Sequence, residues 1–435
     1  MLRRPMTVLT GVLLLAGCDL DKTNPNAPTQ EATLGSADGV IATAVGLQAR
    51  FGSSTGFFAY AAGLVTDELA AVSAALVTIS DAEGGVVTPG AGFAADYWNA
   101  SYRTIKTAND LIASAGGVTL DPGTRSGILG MAYLLKAAAI GELVQGFKQV
   151  ALDTYNTATP VFVDRPTALS AVLALLDSAE TELTAQPVST QFTNQILARG
   201  FDVLNTIRAY RARYQRLSGN DQAALSAADA VDRTVFSVLP FSTTVRNPLN
   251  VLSGGSSGVL PRDAFRLAAD PADTRIAFHV AAAALVGRIG TPLDNYARYA
   301  DPAASIPTYY PDEVLLIKAE ALVNLNQLAE AKAVLDSVRT DCPGRVATDP
   351  NACLPPSNAA LTRDALLADI YEQRRFELFA TGLRWEDTRR LGAVGAGAPG
   401  KRCWLLYTIG ERNANPANVP PDPEGTDAPA FPATC

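Results

Sequence analysis

YEQRRFELFATGLRWEDTRRLG, running from Tyr371 to Gly392, is the stretch on which the fold turns. With the residues just upstream, Leu367, Ile370, Arg374 and Leu378 fall at i, i+3, i+7 and i+11, which is one face of a helix. That face is apolar except for Arg374. A guanidinium in a core is very costly unless a carboxylate meets it, and Glu377 and Asp387 are the nearest in sequence. Gly382 suits the left-handed position that ends a helix. Trp385 would then fold back onto the core. The motif therefore reads as a clamp on the fold, built from Arg374, Glu377, Gly382, Arg384, Trp385 and Asp387, and not as catalytic machinery.

Outward from this clamp the pattern stays helical. Pro311 to Leu325 places Leu315, Ala319 and Leu322 on one face, and Leu328 to Val338 does the same with Leu328, Ala331, Leu335 and Val338. Only "NLNQ" separates the two, so they fold back as an antiparallel hairpin. Small residues such as Ala319, Ala321, Ala329 and Ala331 allow close approach. Further helices are expected over Tyr97–Ile112, where Trp98 belongs to the core, Ile128–Val150, Leu169–Leu183, Ile196–Leu217 and Ala223–Val231. Helix pairs with tight turns resemble tetratricopeptide units, but long irregular inserts interrupt them at Val72–Gly92, Pro240–Arg262, Asp270–Thr308 and the last forty or so residues. The expected class is mainly α, with tetratricopeptide-like pairs and long loop inserts. Loops of this length are usually functional or disordered.

The Tyr371–Gly392 string resembles the C-terminal signature of the SusD/RagB family, carried here by Glu372, Arg374, Arg375, Glu377, Leu378, Gly382, Arg384, Trp385, Asp387, Arg389 and Arg390. Gln373 displaces the first motif arginine, and Thr381 stands where Glu is usual. "EVLLIKAEALVNLNQLAEAKAVLDSVR" is similar to the family's preceding helix pair. "YWNASYRTIKTANDLI" and "MAYLLKAAAIGELVQGFKQVAL" are similar to its N-terminal helices. The resemblance implies a SusD-like α-superhelix. It also implies a nutrient-binding lipoprotein at the outer surface of the outer membrane, which captures oligosaccharides, or in some branches peptides, and works with a TonB-dependent β-barrel transporter.

The N-terminus agrees. Arg3 and Arg4 precede a short apolar run, Val8 to Ala16, and then L-L-A-G-C-D ends at Cys18. The run is too short to span a bilayer and reads as an export signal over residues 1–17. Cys18 is the expected lipidation site. Residues 18–36 are polar and rich in Asn, Pro and Thr, suited to a flexible leash. Residues 37–435 are read as one helical domain, with no second apolar run of membrane length.

Removing the signal takes away Arg3 and Arg4 and moves the net charge from -8 to -10. Such an acidic chain is a poor partner for nucleic acid, which needs clustered Lys and Arg. Five cysteines leave four after Cys18: Cys342, Cys353, Cys403 and Cys435. An exported chain permits disulfides. Cys342 with Cys353 and Cys403 with Cys435 is the favoured pairing, the second pinning a Pro-rich tail; zinc is the rival, without any C-x-x-C spacing.

No catalytic constellation stands out. The only histidine, His279, lies in the apolar run "RIAFHVAAAALV" and reads as a core or edge-strand residue. No phosphate-cradling loop, metal cluster or cofactor motif is present in the text. The chain is therefore expected not to be an enzyme. Binding is the better reading. Sugar capture needs flat rings with polar rims, and aromatics in irregular segments are the candidates: Tyr296, Tyr299, Tyr309, Tyr310, Trp404 and Tyr407, with Phe51, Phe57, Phe58 and Tyr60 as a second set. Each can instead anchor a loop over the core. A protein-binding scaffold of tetratricopeptide type is the alternative.

Overall fold

The computed structural model describes residues 29–66, 68–155, 157–342, 349–390 and 402–422. The signal segment, Cys18, the leash up to residue 28, Cys435 and the tail beyond residue 422 lie outside the described residues.

The body is mainly helical. A one-turn helix α1 (Gln30–Leu34) leads into α2 (Ala37–Val65), and the short α3 (Val77–Glu83) follows. Three long helices come next: α4 (Gly92–Ser114), α5 (Pro122–Gly146) and α6 (Arg165–Ala185). After α7 (Val203–Leu217) and α8 (Asp221–Asp229) come three single turns, α9 (Pro248–Val251), α10 (Asp263–Leu267) and α11 (Arg275–His279). The C-terminal set is α12 (Pro311–Asn324), α13 (Leu328–Arg339), α14 (Arg363–Glu377), α15 (Arg384–Arg390) and α16 (Ile409–Ala414).

Local chemistry explains most of the boundaries. Asp121, Asp164, Asp202 and Thr362 cap α5, α6, α7 and α14 by accepting a backbone N–H of the first turn. Proline occupies the first turn of α5, α6 and α12, where its missing N–H costs nothing. The α12–α13 hairpin forms as expected, and Asn326 takes the left-handed conformation at its turn, φ 60°.

The sequence pattern missed α2, which is 29 residues long. Its glycines argue against a helix by propensity, and packing overrides them. A Cβ on Gly56 would stand 2.0 Å from the Pro248 ring, so glycine is what lets α9 lie against the helix. Two other expectations need correction. The end of the leash is ordered: Thr29 caps α1 and Ser36 caps α2, so the polar segment is helical from Gln30. α5 is long and apolar enough to cross a membrane, contrary to the expectation of no such run; 83% of its apolar window is buried inside the protein, which makes it a core helix.

The long inserts are also more regular than their text suggests. β1 (Leu69–Ala71) pairs antiparallel with β5 (Val259–Pro261), with Leu69 opposite Pro261. β2 (Gln149–Ala151) pairs with β3 (Phe162–Asp164), and β4 (Val238–Leu239) with β8 (Ile306–Pro307). "VAAAALV" forms strand β6 (Val280–Val286), hairpinned with β7 (Pro292–Tyr296).

The main core joins α2, α4, α5 and α6 through Leu47, Phe51, Phe58, Tyr97, Ile105, Leu135, Leu143 and Leu176. A second cluster joins α12, α13 and α14 through Leu316, Leu335, Val338, Leu366 and Ile370. Trp98 lies in the main core, as its helical spacing predicts.

Candidate functional site

The signature string builds a buried ion-pair network between α14 and α15. Arg374 Nε donates to Asp387 Oδ2 at 2.7 Å, and Arg390 reaches the other oxygen, Oδ1, at 2.8 Å. Arg390 and Arg216 share Glu320 of α12, and these two cations hold the Glu320 carboxyl down to about 2 despite its burial. Of the two carboxylates near Arg374 in sequence, Asp387 is the partner. Glu377 faces Arg275, 3.6 Å away, and burial pushes its carboxyl well above the usual range. Arg384 stacks over the Tyr371 ring at 4.4 Å. Trp385 is buried, and its indole N–H donates to the Arg402 carbonyl at 2.7 Å.

Gly382 is left-handed, φ 86°, but α14 has already ended at Glu377. The glycine starts α15 instead, and a Cβ there would lie 2.4 Å from Phe58. The turn is thus pressed against α2.

All six aromatic candidates are buried, at 1–8% exposure, so none is an open stacking platform. Tyr407 joins Trp98, Phe147 and Phe162 in a ring cluster, 5.3 Å from Phe162. Trp404 lies under the Arg389 guanidinium at 4.1 Å. Tyr296 sits edge-on to Tyr299 at 5.7 Å. Of the second set, Phe51, Phe58 and Tyr60 are core and Phe57 is partly buried.

Tyr299, Tyr309 and Tyr310 do converge on one cavity, together with Phe58, Glu142, Tyr210, Arg213 and Glu313. Its volume is about 30 Å³, room for about two water molecules, so no sugar ring fits. Arg213 grips Glu313 with two bonds of 2.6 and 2.7 Å and stacks on Tyr210 at 4.4 Å. Glu142 accepts from Thr55 Oγ1 at 2.7 Å, while its other oxygen has no hydrogen-bond partner. Desolvation pushes the Glu142 carboxyl up to about 8, the Thr55 hydrogen bond pulling the other way.

His279 is buried at the end of α11, among Phe265, Phe278 and Phe379. Burial, then the charges of Arg275 and Arg298, lower its pKa to about 3, so it is a neutral core imidazole. Cys342 and Cys353 are bonded to each other. Cys403 is buried, and the pairing expected for it involves Cys435, outside the described residues. Among the described residues no group of three or more His, Cys, Asp or Glu is placed to hold a metal ion.

The sequence reading missed the one aromatic ring that is exposed among the described residues, Tyr155, at 42%. It lies on the β2–β3 connection, whose end is tied to the α16 region: Asn415 and Asn418 donate to the Pro160 and Thr159 carbonyls at 2.8 and 2.9 Å. The text "LDTYNTATP", polar on both sides of a single ring, was the available signal.

The architecture is a mainly helical fold locked near its C-terminus by buried ion pairs. The profile of the SusD family matches residues 312–418, the segment that carries this lock. Solved structures share the fold across the chain. A SusD homolog from Bacteroides thetaiotaomicron is 14% identical, covering 89% of this chain and 97% of that one, with a TM-score of 0.65. A SusD superfamily protein from Bacteroides vulgatus is 16% identical, covering 88% and 98%, with a TM-score of 0.64. A SusD-like carbohydrate binding protein from Bacteroides vulgatus is 14% identical, covering 80% and 82%, with a TM-score of 0.61. No curated protein matches by sequence. Residues 312–418 are thus similar to the SusD family, and the whole body has the fold of SusD superfamily structures.

Proposed function

We propose that this chain is a surface lipoprotein, anchored through Cys18, that captures oligosaccharides and passes them to a TonB-dependent outer-membrane transporter. The observation that carries the reading is the SusD-family segment at 312–418 set in a body with the fold of a SusD-like carbohydrate binding protein. Capture is non-covalent, and peptides are the second class of cargo. The Tyr299–Tyr310 cavity is too narrow for cargo, so binding uses the open surface, and Tyr155 is the ring offered to a sugar face.

Two measurements test this. Affinity purification of the natively lipidated protein from crosslinked, gently solubilised membranes should recover a TonB-dependent barrel in near-equal amount. Recovery of only other envelope proteins would favour the scaffold alternative. Titration of the isolated protein with glycans and peptides should show binding that Tyr155→Ala weakens several-fold without changing Tm. Undiminished glycan affinity in that variant would remove Tyr155 from the site.

A further inference from the structure

A second surface feature lies at the other end of the question of attachment. α1, α2 and α4 enclose an open groove of about 590 Å³, walled by Gln30, Thr33, Thr43, Arg50, Arg103 and Lys106. The helical register makes it continuous: Thr43, Gly46 and Arg50 are i, i+3 and i+7 on α2, and Arg103, Lys106 and Asp110 are i, i+3 and i+7 on α4. Lys106 is satisfied, bridging Asp110 at 2.7 Å and Gln30 at 3.2 Å. Arg50 and Arg103 are exposed and form no salt bridge within 4 Å among the described residues, although the charge of Arg103 acts on the Asp96 carboxyl. On a chain with 43 acidic against 35 basic residues, two guanidinium groups without a bridging carboxylate on one groove are unusual, since most of the other arginines here lie against carboxylates and the groove's own Asp110 is taken by Lys106.

The groove also stands where the chain arrives from its N-terminal segment. Gln30 and Thr33, from the first helix described, form part of its wall. Even fully extended, the stretch from Cys18 to Gln30 reaches at most about 40 Å, so a lipid on Cys18 would hold this end of the body close to the headgroups. Guanidinium pairs suit phosphate geometry, and threonine hydroxyls and the Gln30 amide add polar partners around them.

We propose that this groove binds the phosphate of anionic lipid headgroups, giving the anchored protein a second, electrostatic contact that fixes its orientation on the membrane. The proposal rests on the anchored reading only for the direction in which the groove faces.

The test uses the mature chain carrying Cys18→Ala, so that no acyl chain brings it to a bilayer. Its sedimentation is measured with phosphatidylcholine vesicles and with vesicles containing phosphatidylglycerol. The net charge of the chain repels the second kind, so binding there reports a local patch. The expected result is binding to the anionic vesicles only, lost at high salt and weakened roughly fivefold for each of Arg50→Ala and Arg103→Ala. Gly46→Glu is the complementary variant. A Cβ at Gly46 meets nothing within 4 Å, so the change places a negative charge in the groove without a clash, and it should abolish binding with the fold intact by Tm. No binding to anionic vesicles overturns the proposal, as does binding that survives both arginine changes. Calorimetric binding of inorganic phosphate without vesicle binding would overturn the lipid source and make the groove a site for soluble anions. None of these outcomes depends on a transporter or on cargo.

Discussion

Arg374 and Asp387 are 13 residues apart and meet at 2.7 Å with both side chains buried, across the turn that carries Gly382. Asp387 also holds Arg390, so one carboxylate serves two cations from two consecutive helices. Removing it leaves charge in the core without its partner, and breaking a buried pair from one side costs about 3–5 kcal/mol. Asp387→Asn should therefore lower the denaturant midpoint sharply. Replacing Arg374 by Met in the same chain should restore part of the loss, because the stranded charge goes with it. A double-mutant cycle measures the coupling, and a coupling near zero would count against the pair as the lock.

Gly382 is constrained twice, by a φ of 86° and by Phe58. Gly382→Ala should cost roughly 1–3 kcal/mol for the backbone alone, with the contact against Phe58 added. Shortening Phe58 to Leu in the alanine variant should relieve only the contact. If the single change leaves the unfolding midpoint unaltered, the turn is not pinned against α2.

Much of this was legible in the text. The register of Leu367, Ile370 and Arg374 gave a helix face, and a lone arginine on it demanded a carboxylate, which Asp387 supplies. The α12–α13 hairpin followed from two faces and a four-residue turn. What stayed hidden depends on contacts distant in sequence. α2 reads poorly because its glycines matter only once Pro248 is brought beside it. The aromatic candidates lie in irregular text, yet irregular segments can cross the core face, as Tyr299 and Tyr310 do. Exposure, which singles out Tyr155, belongs to the folded surface and has no periodicity to announce it.

At acid pH the fold should weaken in two stages. His279 has its folded pKa lowered to about 3 from an ordinary 6.5, so the unfolded chain binds the proton first. Its contribution is complete above 6.5 and is lost as pH falls from there toward 3. Glu320 and Glu386, each lowered to about 2, by Arg390 and Arg216 and by Arg165 and Arg389 respectively, add a loss that begins only near 4.5. Glu142 has an opposite slope in the same range, so the loss is read as a difference: urea stability of the wild type should fall relative to His279→Gln as pH drops below 6.5. An identical slope in both between pH 6.5 and 5 would show that the imidazole titrates normally.

Glu142 predicts the opposite slope. Its folded pKa is raised to about 8, by desolvation first, above an ordinary 4.5. Between those values the folded protein keeps a proton that the unfolded chain has released, so stability falls as pH rises through the window and levels off above 8. The proton stays because the carboxyl is buried: Thr55 serves one oxygen, and the nearby Ser54 hydroxyl, shared with Ser101, offsets little of the desolvation. Arg213 is nearby, but its guanidinium is already committed to Glu313. Glu142→Gln keeps the shape, never ionises, and should gain stability over the wild type as pH rises, by on the order of a few kcal/mol at pH 8. Near pH 4.5 the two proteins should differ least, because both then carry a neutral group at this position. A constant difference from pH 5 to 9 would show that Glu142 is ionised throughout, and the cavity beside it would have to supply the donor its second oxygen lacks.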